Sequence, residues 1–141
     1  MKKRLIFLLF VLVLLLTACN NDELSGKTFN LSTRGGPDSN PDQYHSIMTL
    51  EFSDGKVETS SINDGEGTYE LNDDKLAIHF ENENENLTIE FTVEESDKEF
   101  SEYSAVISDY DFEMSNTDKV SHYKNIINKL HKDMSYEFIK E

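Results

Sequence analysis

Nucleophilic catalysis requires a serine, threonine or cysteine activated by a neighbouring base, and this 141-residue chain offers few candidates. Its single cysteine is Cys19, in the stretch LLLTACNNDE, so a disulfide within the chain is impossible. The serines are scattered, and none sits in a G-x-S-x-G elbow. Four histidines, His45, His79, His122 and His131, are the available bases and nitrogen ligands. None falls in an H-E-x-x-H run or another ligand spacing, so they read as exposed polar side chains. Oxygen ligands are more plentiful. Asp109, Asp111 and Glu113 alternate along DYDFE and would share one face of a strand, yet a flat strand supplies fewer than the about six to eight oxygens that Ca²⁺ takes. The run NDGEG at residues 63–67 lacks the spacing of an EF-hand loop. Both stretches read as solvated acidic faces open to a basic partner. No catalytic, cofactor-binding or metal-ligating residue is assigned, and no enzyme is expected.

Cys19 is explained by what precedes it. Lys2, Lys3 and Arg4 open the chain, an unbroken apolar run follows from Leu5 to Leu16, and Thr17 and Ala18 close it. This is the layout of a secretory signal peptide. The apolar run is shorter than the about 20 residues a helix needs to span a bilayer. Its end, Leu16-Thr17-Ala18-Cys19, resembles the lipobox of bacterial lipoproteins. The resemblance implies that Cys19 carries a diacylglyceryl group with palmitate-type chains, that residues 1–18 are removed, and that Cys19 becomes the new N-terminus. The other readings of Cys19 are an ordinary signal-peptide residue or a free thiol. With each buried methylene contributing about 0.8 kcal/mol, two acyl chains anchor a protein stably where one does not. Residue 20 is Asn, not the aspartate linked with inner-membrane retention in some two-membrane bacteria. A Trp-free composition heavy in Lys, Asn and Glu resembles that of low-GC Gram-positive organisms. The expected location is therefore the extracytoplasmic face of the cell membrane, held by the lipid.

Without residues 1–18 the chain carries ten Lys plus Arg against 28 Asp plus Glu, a net charge of −18. Such a charge disfavours nucleic acid, anionic headgroups and polyanionic wall polymers, and favours cationic partners. Alternatively, it only keeps an envelope protein soluble. Lys119, Lys124, Lys129 and Lys132 form the one basic island, which either complements an acidic barrel rim or faces the membrane headgroups.

These groups must be positioned by strands. After a polar tether at residues 19–25, the apolar residues recur with period two, as in half-buried strands. Met48, Leu50 and Phe52 share a face, and Asp54-Gly55 supplies a hairpin turn from which Val57 begins the return. Tyr69 and Leu71, then Leu76, Ile78 and Phe80, then Leu87, Ile89, Phe91 and Val93 continue the alternation between turn-forming runs. These twelve interior candidates, Val57 aside, are nearly all large, which leaves little room inside a small barrel. TFNLS near residue 29 is a further strand, and YSAVISDYDFEM is one bent strand or two. Over 117–134 the period changes: Val120, Tyr123, Ile127, Leu130 and Met134 step by three and four, predicting an amphipathic helix. SYEFIK then returns as a strand able to pair with the first and close the sheet.

Meandering strands, one late helix and a final strand resemble the lipocalin-like arrangement. More specifically, residues 52–80 resemble the F-x-D-G-K … G-x-Y-x-L … D-x-L-x-I-x-F run of small bacterial lipocalin-like lipoproteins. That resemblance implies a fold and no catalytic residues. A lipocalin's first strand usually carries Gly-x-Trp, whereas this one reads Gly26-Lys27-Thr28-Phe29. The irregular segment 32–43, with both prolines and Arg34, is either a flexible loop or a lid over the barrel mouth. The expectation is thus a signal peptide at 1–18, a lipidated tether at 19–25 and a mainly β, small antiparallel lipocalin-like meander barrel at 26–141, with one amphipathic helix before the last strand. Its expected role is that of a lipid-anchored interaction module for a basic or membrane protein, accessory, inhibitory or conferring immunity. A carrier of a small apolar ligand is the alternative. The sequence leaves oligomeric state open.

Overall fold

In a computed structural model that describes residues 22–63 and 65–141, the period-two pattern becomes eight strands. They are β1 (Thr28–Arg34), β2 (Tyr44–Ser53), β3 (Lys56–Glu58), β4 (Glu66–Asn72), β5 (Lys75–Glu81), β6 (Glu85–Glu95), β7 (Ser101–Met114) and β8 (Ser135–Lys140). Each pairs antiparallel with its sequence neighbours, and β8 pairs with β1 from Phe29↔Lys140 to Thr33↔Tyr136, so the sheet closes into a barrel. This is the mainly β, lipocalin-like meander barrel expected. The signal peptide and Cys19 lie outside the described residues.

Turn chemistry sets the register. Asp54 and Gly55 both take positive φ, 47° and 79°, which matches the right-handed strand twist across a two-residue hairpin and fixes Phe52↔Val57. Alternation then does the rest. Leu76↔Phe91, Ile78↔Ile89 and Phe80↔Leu87 face inward together between β5 and β6. Of the twelve expected interior side chains, ten are buried, and Leu71 and Val93 are half-buried at one end. Phe29 meets Phe52 and Phe138 edge-on at 6.1 and 5.7 Å, and Phe91 meets Phe138 at 5.9 Å, so rings in edge-to-face contact fill the barrel axis. YSAVISDYDFEM is one strand, β7, with a register shift opposite Glu90 and Phe91, where an irregularity bends a long strand.

The predicted helix is shortened to one turn, α1 (Lys124–Ile127). Val120 is 86% exposed and Met134 is exposed too, while Tyr123, Ile126 and Leu130 are the buried side chains. Competing tertiary hydrogen bonds account for this. Asn84 donates from Nδ2 to the Asn116 carbonyl and accepts the Asn116 N–H, and Glu85 accepts the His122 N–H and the Ser121 hydroxyl. Backbone donors that a longer helix would use are thereby tied to the barrel. Residues 115–134 form a strap that descends from Met114 to the start of β8 and inserts Tyr123, Ile126 and Leu130 at one end.

The opposite end receives the N-terminal segment. Leu24 is buried, the Gly26 N–H donates to the Phe52 carbonyl at 2.8 Å, and the Tyr69 hydroxyl donates to Asp22. The turns after β2, β4 and β6 gather at this tether end, and the remaining loops gather with the strap at the far end.

Candidate functional site: an acidic cleft at the tether end

The turns after β4 and β6 bring six carboxylates around one opening: Glu23, Asp73, Asp74, Glu94, Glu95 and Glu102. The cleft measures about 500 Å³. Its floor is apolar, made of Leu71, Val93 and Tyr103, which are inward-facing residues at strand ends and remain half-buried where the next inward residues are fully covered. Tyr103 stacks edge-on against Phe29 and Phe138, so the floor is continuous with the core.

Lys27 is the cation paired with this rim. It donates to Glu102, and its Nζ stands 5.8 Å from the centroid of the Tyr103 ring. The bond to Glu102 raises the Lys27 ammonium above its ordinary value. Burial pushes the Tyr103 hydroxyl up, against the opposing pull of Lys27.

The turn after β6 is held in place by a buried carboxylate. Glu137, on the outward side of β8, is 2% exposed because this turn folds over it. Lys98 approaches its Oε1 at 2.8 Å, Ser96 donates to Oε2 at 3.0 Å, and Ser104 donates to the same oxygen at 2.9 Å. Burial alone pushes the Glu137 carboxyl up, yet the hydrogen bonds from Lys98 and the serines outweigh it and leave it below its ordinary value. Glu85 is balanced in the same way at the far end. Desolvation opposes its charge, and bonds from Ser121, the His122 N–H and Asn82 more than restore it. Glu85 shares the inward parity of Leu87, Ile89 and Phe91, a signal that the sequence reading passed over, whereas nothing in the alternation of β8 marks outward Glu137; sequence reasoning missed both.

The residues singled out by sequence lie elsewhere. Asp109, Asp111 and Glu113 are exposed along the outer face of β7, and Lys132 of the strap donates to Asp109, which lowers that carboxyl and raises the lysine. Of NDGEG, Asn63 and Gly65 lie in the loop between β3 and β4 at the far end, Glu66 and Gly67 open β4, and residue 64 lies outside the described residues. His45 is exposed on β2, His79 on β5 bonds Thr88 at 2.9 Å, and His122 and His131 belong to the strap. Among the described residues no three His, Cys, Asp or Glu side chains converge so as to hold a metal ion. No described helix is long and apolar enough to cross a membrane. The segment 32–43 is partly strand, since Ser32 to Arg34 belong to β1, and the Gly35 N–H closes the remaining loop on the Gln43 carbonyl at 2.9 Å. The basic island rides on the strap, at the end away from Asp22. Compared with known proteins, the chain matches no family model, no curated protein and no solved structure.

Proposed function

We propose that this protein is a lipid-anchored, extracytoplasmic interaction module that recognises a basic protein or a basic part of a membrane protein, in an accessory, inhibitory or immunity role. The observation that carries the reading is the unneutralised acidic cleft on a barrel whose interior is occupied by its own rings. A filled axis favours recognition at the surface over carriage of an apolar ligand inside. The lipobox-like run ending in Cys19 supports the anchor, and the charge of −18 after its cleavage supports a cationic partner.

Two measurements test this. Cys19→Ala should abolish incorporation of radiolabelled fatty acid and leave either uncleaved precursor or protein shed to the medium; label retained by the mutant overturns the anchor. Partners crosslinked on intact cells should be basic, and their complexes should dissociate as ionic strength rises past the point where surface charges are screened. Partners that are acidic, or that stay bound at high salt, overturn the charge argument.

A further inference from the structure

We propose that the tether-end cleft is the docking site for a cationic amphipathic peptide segment, whose lysine or arginine side chains meet the rim carboxylates while one aromatic or aliphatic side chain seats on Leu71, Val93 and Tyr103. The inference rests on the interaction-module reading above and names the place and chemistry of the partner.

Size comes first. At about 500 Å³ the cleft falls within the roughly 300–1,000 Å³ of ordinary ligand sites. Its floor then sets the chemistry at the centre. Leu71, Val93 and Tyr103 offer apolar surface that the barrel does not itself cover, and they are rigid because the core rings lie directly behind them. An apolar anchor side chain gains by covering them, as buried anchors do at the centres of interfaces.

The rim decides what surrounds that anchor. Among the described residues Glu102 is the one rim carboxylate with a cationic partner, Lys27. Of the other nearby ammoniums, Lys75 donates to the Thr92 hydroxyl and Lys98 is committed to Glu137 and Asp97. Five carboxylates thus face solvent around an apolar centre, a pattern complementary to lysines or arginines flanking one large apolar residue. Lys27 over the Tyr103 ring already displays the contact that a partner's cation would repeat on this floor. A bare metal ion does not fit, because these carboxylates do not converge on one point. An anionic lipid headgroup is repelled by the same rim.

Position favours the same occupant. Three residue steps separate Cys19 from Asp22, which at about 3.3–3.6 Å per residue reach no more than about 11 Å. A barrel acylated at Cys19 therefore holds this cleft close to the bilayer surface, where cationic amphipathic segments accumulate.

The chain contains no tryptophan, so a peptide can carry the only indole in the experiment. The full chain is reconstituted into phosphatidylcholine vesicles and titrated with a lysine-rich peptide bearing one central tryptophan, with protein-free vesicles as the blank. Expected are saturable binding, a blue shift of the indole emission, and weakening by about tenfold or more between roughly 20 and 300 mM salt. Asp73→Asn, Asp74→Asn and Glu94→Gln together should weaken binding about tenfold, near twofold for each exposed pair. Val93→Ser should reduce the blue shift. The control Asp109→Asn, Asp111→Asn and Glu113→Gln removes the same charge from the outer wall and should change affinity less than twofold; circular dichroism checks that each variant is folded. Binding that is salt-sensitive but weakened equally by both triple variants, or that lacks the blue shift, overturns the cleft while leaving a basic partner standing. Absence of binding at low salt overturns the cleft and the basic-partner reading together.

Discussion

Replacing Phe91 by alanine asks directly whether the barrel is solid. Phe91 is 1% exposed at the middle of β6, in register with Leu76 on one side and Ile107 on the other. Its ring lies 5.9 Å from that of Phe138 at an interplanar angle of 79°. Truncation removes the transfer free energy of a phenyl group and leaves a hole that neighbouring strands, fixed by their ladders, refill only in part. The expected cost is about 3–5 kcal/mol. An ordinary domain stability is about 5–15 kcal/mol, so the mutant stays folded where the wild type exceeds the lower end of that range by a few kcal/mol. With a urea slope of about 1–3 kcal/mol/M, its midpoint should fall by about 2 M at unchanged slope. Far-ultraviolet circular dichroism is the suitable probe, since the chain has no tryptophan. The mutant, and not the wild type, should then accept a small aromatic such as benzene, because an apolar hole of this kind stays dry and binds apolar guests. A midpoint shift below about 0.5 M, together with stoichiometric uptake of an apolar fluorophore by the wild type, would refute the filled core and restore the carrier reading.

Glu137→Gln should destabilise by about 1–3 kcal/mol, because Lys98, Ser96 and Ser104 lose a charged acceptor, with urea unfolding at pH 7 as the measure. Folding lowers the carboxyls of Glu85 and Glu137 below 4.5, so their contribution is fully present above that value and is lost as pH falls through the folded-state values. Urea midpoints followed from pH 7 to pH 3 should drop steeply below about 4.5 for the wild type and less steeply for Glu137→Gln; parallel curves would contradict this assignment. Tyr69, pushed up to about 12 by burial and by its bond to Asp22, pins the N-terminal segment. Tyr69→Phe should accelerate hydrogen exchange at the Gly26 amide, which bonds the Phe52 carbonyl, and cost about 1–2 kcal/mol overall. Unchanged exchange there would show that buried Leu24 and the bonds to Phe52 and Asp54 hold the segment without Tyr69.

The strands were legible because a period of two survives single-sequence reading wherever one face is fully buried. Met48, Leu50 and Phe52, then Leu76, Ile78 and Phe80, then Leu87, Ile89 and Phe91 alternate within their strands, and Asp54-Gly55 marks its turn unambiguously. Closure by β8 was legible for the same reason. The strap was not. Its apolar spacing of three and four suits a helix, but the side chains that pack are Tyr123, Ile126 and Leu130, and the decisive bonds come from Asn84 and Glu85, more than thirty residues earlier. Local periodicity carries no trace of such partners. The cleft was hidden in another way. Asp73 and Asp74 read as turn formers and Glu94 and Glu95 as a polar strand end, and only the barrel's curvature sets them beside Glu23 and Glu102. Acid-rich turns recurring on alternate hairpins are the one signal that points there.

The disposition of charge over the barrel has a consequence for both folding and binding. Among the described residues two carboxylates are buried, Glu85 and Glu137, and each is surrounded by donors that keep it charged. On the strap, Lys132 lies against Asp109 and the Tyr110 ring. At the tether-end rim Lys27 meets Glu102, and five further carboxylates line the cleft with no cationic partner among the described residues. Their mutual repulsion opposes the compact state and is relieved either by counterions or by a cationic ligand. Added salt therefore acts in opposite directions on the two processes: it steadies the empty barrel by screening the rim, and it weakens a basic partner by screening the same carboxylates. A ligand that binds this rim in the folded state alone would stabilise the barrel by RT ln(1 + [L]/Kd).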